Sequence, residues 1–365
     1  MTVSSATIPS ATKARILVIG ATGFMGQFVT KASLAFGHPT CLLVRPPHKM
    51  HSKAALLKSF QDKGATLIHG VINDKDQMEK ILKDNEIEIV ISLVGGGNVL
   101  DQITLIDAMK SVKTIKRFLP SEFGHDVDRA ECFLKGELCL IPNTEPVEPG
   151  LTMYKEKRVV RRMVEESGIP FTNICCNSIA SWPYYDNCHP SKLPPPIDQF
   201  QIYGDGNIKA YFVDGNDIGR LTMKAVDDVR TLNKNVHFRP SMNCYSVNEL
   251  ASLWEKKIGR TIPRVTISED DLLAAAAANL IPESIVASFT HDIFIKGCQV
   301  NFSTDGSNDV EIGTLYPDEK FRCLEDCFED FVPMIRDKIL GGPNDELAKT
   351  NNKSLLEAVP ITAMG

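Results

Sequence analysis

Ile16-Leu17-Val18-Ile19-Gly20-Ala21-Thr22-Gly23-Phe24-Met25-Gly26 decides the fold. Four consecutive apolar residues show no in-out alternation, so both faces of that extended segment need cover, as in a parallel strand inside a sheet. Gly20, Ala21, Thr22, Gly23, Phe24, Met25 and Gly26 then form a GxxGxxG loop that opens a helix expected from about Phe24 to Phe36. Glycines permit a tight turn and close approach of the backbone to a ligand, and the first N–H groups of a helix attract an anion. A tight turn without a ligand is the competing reading. The context favours the ligand, because the loop follows a strand, lies near the chain start and heads a β-α series. The seven loop residues are therefore candidate contacts for the pyrophosphate of a dinucleotide.

Outward from this loop, Thr40 to Val44, Ala65 to His69, Glu88 to Leu93 and Arg117 to Leu119 read as strands. They alternate with helices expected over Lys53 to Asp62, Lys75 to Asp84 and Val99 to Ser111. Such alternation builds a parallel sheet through right-handed crossovers, so the expected class is α/β, a doubly wound Rossmann-type sheet. A charged helix from Tyr154 to Ser167 leads into a strand from Phe171 to Cys175, and there the rhythm breaks. Residues 182–203, with Pro194-Pro195-Pro196 and two adjacent tyrosines, have the composition of a pocket-lining loop. Helices near Asn248 to Ile258 and Glu269 to Asn279 point to a smaller substrate lobe. The expected organisation is a flexible 1–14, a dinucleotide domain over 15–177, a lobe over 178–337 sharing segments with it, and a loose polar tail over 338–365.

The end of the second strand bears on which nucleotide binds. A carboxylate there would hold a ribose 2′-hydroxyl. This chain has Arg45 instead, followed by Ser52 and Lys53. Cations suit a 2′-phosphate, so NADPH is the expected cofactor, against the alternative of ordinary surface charges. Gly95, Gly96 and Gly97, after the fourth strand, would let backbone approach the middle of the cofactor.

Composition narrows the function class. A net charge of −6 over 365 residues argues against nucleic acid or an anionic membrane as the main partner. The ten cysteines include no CxxC pair, and Cys323 and Cys327 have no neighbouring histidine to complete a metal set. Reduced thiols and the polar first residues make the cytoplasm the expected location. No apolar run approaches the ~18 residues of a membrane helix.

The helix from Tyr154 holds the next candidates. The usual short-chain pattern Tyr-x-x-x-Lys is absent, since Arg158 stands four residues after Tyr154. From Lys157 the spacing gives Lys-x-x-x-Arg. Arg161 would then share a face with Lys157, depress its pKa and reach the cofactor. Read without further context, Lys155 to Arg162 is a solvated basic face. His125 follows Ser121-Glu122-Phe123-Gly124 at a strand end, where sites in this fold open, although a lone loop histidine is more often structural.

Residues from roughly 15 to 335 resemble the isoflavone reductase-like branch of the atypical short-chain dehydrogenases, of NmrA type, through Leu119-Pro120-Ser121-Glu122-Phe123-Gly124. Within that branch, Arg117-Phe118-Leu119-Pro120, Ile174-Cys175-Cys176-Asn177 and Thr290-His291-Asp292 resemble signatures of the leucoanthocyanidin reductases. The resemblance implies a plant oxidoreductase of flavonoid and proanthocyanidin biosynthesis. Its reaction would be NADPH-dependent reduction of a flavan-3,4-diol at C4 to a 2,3-trans-flavan-3-ol such as catechin. A C4 hydroxyl leaves poorly, but ionising the phenol para to it allows departure and leaves a quinone methide that accepts hydride. The resemblance assigns Lys157 as base, His125 as proton donor or orderer of a water, and Tyr154 as substrate contact. Alternatives are a sister reductase of isoflavones, lignans or phenylcoumaran benzylic ethers, and a catalytically impaired NADP-binding variant. Against the family pattern, 131–145 is an insertion between His125 and Lys157, expected to disturb substrate binding more than nucleotide binding.

Overall fold

The computed structural model describes residues 13–45, 53–130, 148, 150–180, 195–278, 280 and 283–339. Ser52 and the insertion at 131–145 lie outside them.

The opening apolar run forms β1 (Ile16–Ile19), with all four residues buried. After it come α1 (Phe24–Ala35), β2 (Thr40–Val44), α2 (Ala54–Gln61), β3 (Thr66–His69), α3 (Lys75–Asp84), β4 (Ile89–Ser92), α4 (Gln102–Ser111) and β5 (Arg117–Leu119). The strands pair in parallel in the order β3-β2-β1-β4-β5, which is the doubly wound sheet expected. Alternate residues of β1 feed opposite cores. Ile16 and Val18 pack with Val29 and Leu42, whereas Leu17 and Ile19 pack with Ile106 and Phe118. Each fully buried aliphatic side chain contributes roughly 1.5–3 kcal/mol, so a continuous apolar strand between two helical layers is strongly held.

The sheet continues beyond β5. α5 (Val127–Ala130) and α6 (Gly150–Ser167) lead to β6 (Thr172–Cys175). Phe118 bridges in parallel to Phe171, and its N–H donates to Pro170 O at 2.8 Å. The chain then runs through β7 (Ser178–Ile179), β8 (Phe200–Tyr203), β9 (Lys209–Val213) and α7 (Gly215–Asp227) before β10 (Lys234–His237) returns to pair with β6. β11 (Cys244–Ser246), α8 (Val247–Ile258), β12 (Arg264–Ile267), α9 (Glu269–Ala277) and α10 (Glu283–Phe294) precede β13 (Asp309–Glu311), which pairs with β10. α11 (Ile312–Leu315), α12 (Leu324–Glu329) and α13 (Val332–Ile339) complete the described part.

The remaining elements surround a second core of Phe200, Phe212, Trp254, Phe294 and Phe328. Trp254 is fully buried and donates its indole N–H to Pro196 O at 2.8 Å, satisfying its one polar atom. Capping boxes at Ser246/Glu249 and Ser268/Asp271 start α8 and α9. One expectation needs correction here. Of the loop read over 182–203, the part from Phe200 to Tyr203 is a strand, pairing in parallel with β12. Its alternation of buried Phe200 and Ile202 with Gln201 carries that signal, and the proline run upstream obscures it.

Candidate active site

A glycine-lined turn, the candidate cofactor cradle, sits at the carboxyl end of β1. Gly20 has φ +84°, and a Cβ there would lie 2.5 Å from Leu93 O, just past β4. At Gly26 a Cβ would come within 2.0 Å of Gly20 O, so only glycine lets α1 pack onto the turn. Gly23 closes that turn with an N–H to Gly20 O at 2.9 Å and serves as N-cap of α1. No side chain caps α1 and its first turn holds no acid, which leaves the helix start suited to an anionic pyrophosphate. Ala21 is buried, and Thr22, Phe24 and Met25 are partly buried around the turn. Arg45 follows β2 directly and is exposed, as is Lys53 at the N-cap of α2. The residues present fit a dinucleotide.

A second group gathers beyond β5. Ser121 N–H donates to Gln102 Oε1 at 2.9 Å, and its hydroxyl donates to Val94 O, which pins the strand end to α4 and β4. The chain turns through Phe123, at φ +34°, and presents Glu122 O to Lys157 Nζ at 2.7 Å. α6 carries Tyr154, Lys157, Arg158 and Arg161 at spacings of three and four, hence on one face. Burial holds the Lys157 ammonium below its ordinary pKa; Glu122 opposes this and Arg161 adds to it.

Arg161 departs from its expected role as a cofactor contact. Its side chain is 1% exposed and bound to Glu122 Oε2 at 2.7 Å, Asp126 Oδ1 at 2.6 Å and Asp128 Oδ2 at 3.1 Å. Nη2 also lies 3.7 Å from Cys175 Sγ. Three carboxylates gather the guanidinium inward, a pull invisible in the helix's own sequence. Asp126, Cys175 and His237 bring ligand-type atoms within 4.8 Å of one another, but the Arg161 charge already stands against two of them and would repel a metal ion.

His125 Nε2 lies 2.7 Å from Tyr154 Oη, and Tyr154 donates to Asp292 Oδ2 at 3.0 Å. Phe289 stacks on Tyr154 with ring centroids 5.6 Å apart and meets His125 edge-on at 6.0 Å. Burial, then the Lys157 charge, brings the His125 pKa down to about 4. Burial and Asp292 hold the Tyr154 phenol well above its ordinary value. Tyr154, expected to touch substrate, is 2% exposed, with its hydroxyl engaged by His125 and Asp292.

The three signatures prove physically different. Arg117 is structural: its guanidinium donates to Ala225 O, to Thr231 Oγ1 at 2.8 Å and to Asp228 O at 2.9 Å, tying β5 to the end of α7. Asn177, at φ +59°, underlies the His125 loop, with its N–H on Gly124 O at 3.0 Å and its carboxamide on Phe238 O at 2.9 Å. Burial raises the Cys175 and Cys176 thiols, the latter to about 12, which disfavours the thiolate at both positions. Asp292 belongs to the site itself. Glu122, Asp126, Phe289 and Asp292 had no sequence-level assignment, because each acts across the fold. The signals present were the Thr290-His291-Asp292 signature for Asp292 and the Leu119–Gly124 motif for Glu122, neither with a role attached.

Comparison with known proteins identifies relatives of this chain. A leucoanthocyanidin reductase of Desmodium uncinatum is 71% identical over 361 residues, covering 99% of this chain and 91% of that one. A phenylcoumaran benzylic ether reductase of Ginkgo biloba is 43% identical over 321 residues, covering 88% and 99%. The solved binary complex of leucoanthocyanidin reductase with NADPH from Vitis vinifera is 64% identical with a TM-score of 0.81, covering 88% of this chain and 100% of that one. No helix among the described residues is long and apolar enough to cross a membrane. The sequence pattern of the NmrA-like family matches residues 12–328, spanning the cradle, the β5 loop, α6 and α10, and the chain therefore belongs to the NmrA-like family.

Proposed function

We propose that this protein is an NADPH-dependent reductase that replaces the C4 hydroxyl of a flavan-3,4-diol with hydrogen, giving a 2,3-trans-flavan-3-ol such as catechin. The observation that carries the reading is Lys157. Its amine has a lowered pKa and is anchored 2.7 Å from Glu122 O, on the loop that bears His125. A neutral amine at that point suits removal of a phenolic proton. The substrate class is supported by 71% identity to a leucoanthocyanidin reductase against 43% to a benzylic ether reductase.

In this reading Gly20 to Gly26 and the start of α1 hold the pyrophosphate, and Arg45 and Lys53 face the 2′-phosphate. Ser52 belongs to the same proposal and lies outside the described residues. Bound NADPH supplies the hydride that C4 accepts. Neutral Lys157 takes the proton of the phenol para to C4, and the phenolate electrons expel the C4 hydroxyl, which leaves as water with a proton drawn from solvent. After C4 is reduced, the Lys157 ammonium returns its proton to the phenolate. One hydride and one proton are consumed for each water released. We assign the reaction to the cytosol of a plant cell, a reading supported by the seven free cysteines among the described residues.

The test is turnover of a flavan-3,4-diol with NADPH, with an isoflavone, a lignan and a phenylcoumaran benzylic ether as competitors. Formation of the flavan-3-ol in preference to the other products is expected. Reduction of one of the competitors alone would replace this reading with that of the sister enzyme, and absence of any turnover would replace it with that of an NADP-binding variant.

A further inference from the structure

We propose that Asp309 is a positioning residue: from β13 it holds Arg129 and His237, and through them the Asp126–Arg161–Glu122 frame on which Lys157 rests. Three groups from two elements converge on this one carboxylate. Arg129 Nη2, on α5, donates to Oδ2 at 3.2 Å, and Asn235 Nδ2, on β10, donates to Oδ1 at 3.2 Å. His237 Nε2, on the same strand, lies 2.8 Å from Oδ1. The side chain is buried. Burial pushes its pKa up, but His237, Asn235 and Arg129 outweigh that and hold it below the ordinary value.

Arg129 is seated by the same segment. Its guanidinium lies 5.2 Å from the centroid of the Phe302 ring, so the stretch leading into β13 supplies both an aromatic face and a carboxylate. α5 is also tied to α6. Arg158 donates to Val127 O through Nε at 3.1 Å and Nη2 at 2.9 Å, and Arg161 and Arg162 both bind Asp128. This short helix, directly after the β5 loop, is therefore gripped from both halves of the chain.

Asp126 links the grip to the site. Its Oδ1 accepts from Arg161 Nη1 at 2.6 Å, whereas its buried Oδ2 has no hydrogen-bond partner among the described residues. Arg129 Nε and His237 Nε2 each stand 3.9 Å from Oδ2, and these are the two groups that Asp309 holds. A buried carboxylate oxygen without a hydrogen bond depends on such neighbours to offset its lost hydration. Arg161, seated on Asp126, binds Glu122 Oε2 at 2.7 Å, and Glu122 O accepts from Lys157 Nζ at 2.7 Å. The groups acting on Lys157 itself are Glu122, Arg161, Cys176 and Cys175. Asp309 acts on the lysine through this frame.

The place of the proposed base is thus set from the last strand of the described chain. This deepens the proposed mechanism and rests on that reading for its bearing on turnover.

The test is a pH titration of Lys157 in the full-length protein by ¹³C NMR, with lysine labelled at Cε and the signal assigned by its loss in Lys157→Met. Asp309→Asn and Arg129→Gln remove charges of opposite sign. If these two residues locate the frame, either substitution loosens it and leaves Lys157 less buried. Both midpoints then move up toward 10.5, the ordinary value. Charge alone would move them apart, down for Asp309→Asn and up for Arg129→Gln, and that result overturns the proposal. Unmoved midpoints overturn it as well, leaving Asp309 a purely structural group. Phe302→Leu weakens the seat of Arg129 without changing a charge and should also raise the midpoint. If Asp309→Asn fails to fold by circular dichroism, Phe302→Leu decides, an unmoved midpoint counting against the proposal. In turnover, kcat of Asp309→Asn should fall by ~10–10²-fold, with NADPH affinity unchanged and KM for the diol moving less than kcat. An unchanged kcat overturns the proposal. The titration needs no substrate, so a failure of the flavan-3,4-diol reading shows only as absent turnover in the unmodified protein.

Discussion

Lys157 and Arg161, one helical turn apart, hold the same residue from its two ends: Lys157 Nζ binds the main-chain oxygen of Glu122 and Arg161 Nη2 binds its carboxylate, each at 2.7 Å. Glu122 therefore fixes where the lysine points while its carboxylate neutralises the arginine beside it. The loop after β5 and the helix α6 are consequently one unit, and the candidate base cannot shift without moving the His125 loop.

Lys157→Met is expected to abolish turnover while changing the NADPH dissociation constant by less than about threefold, because the proposed cofactor cradle lies on β1 and α1. In the unmodified enzyme kcat should rise with pH along an acidic limb. Its midpoint should lie below 10.5, the ordinary lysine value, since burial favours the neutral amine. Fluorescence titration with NADPH and a pH series of initial rates check both parts. Retained turnover in the variant would remove Lys157 from the role of base.

Arg161→Met should cost about 3–5 kcal/mol of stability, because it strands the buried carboxylates of Glu122 and Asp126 without their cation. Urea unfolding followed by circular dichroism measures this. A loss below ~1 kcal/mol would place the value of the pair in the range of an exposed one.

His125→Gln should flatten the acid side of the stability profile. The folded protein keeps His125 neutral down to about 4, whereas the unfolded chain takes up its proton near 6.5. The unfolded state thus binds more protons between these values. The contribution is fully present above 6.5 and is lost as pH falls toward 4. Unfolding free energies at pH 7 and pH 5 should differ more in the unmodified protein than in the variant, which cannot titrate at this position. Equal differences would show that burial does not depress His125.

Arg45→Asp should reverse much of the preference for NADPH over NADH. The substitution puts a carboxylate where a 2′-phosphate would otherwise meet a cation, and each tenfold change in affinity corresponds to ~1.4 kcal/mol. Comparison of the two dissociation constants in both proteins settles it, and equal affinities in the unmodified protein would overturn the assignment.

Much of this fold was legible because its signals are local. The Ile16–Ile19 run and the glycines behind it need only neighbouring residues to be read, and both appear where expected. Lys157 was visible as a position on α6, but its lowered pKa was not, since that arises from burial against the loop at Glu122. Arg161 was placed on the correct face and given the wrong partner, because helix periodicity fixes direction and says nothing of the acids at Glu122, Asp126 and Asp128 that fill that space. Asp292 and Phe289 come from the far half of the chain, and only the tertiary fold brings them to Tyr154. Phe200–Tyr203 was masked by composition: a proline run drew attention to irregular backbone, while pairing with β12 made the following residues a strand.

The parallel register of β6 with β10, and of β10 with β13, carries a consequence for biosynthesis. When Cys175 leaves the ribosome β1 to β6 have all been made, yet the outer edge of β6 has no neighbour until Lys234 to His237 have also emerged. At ~5–20 residues per second that interval lasts several seconds, with a bare strand edge open to other nascent chains. A fragment ending near Ala180 should therefore precipitate or be captured by chaperones when expressed, however complete its glycine loop. Expression tags and fusion partners belong outside the segment between β6 and β10, because the edge of β6 is covered only once β10 has been translated.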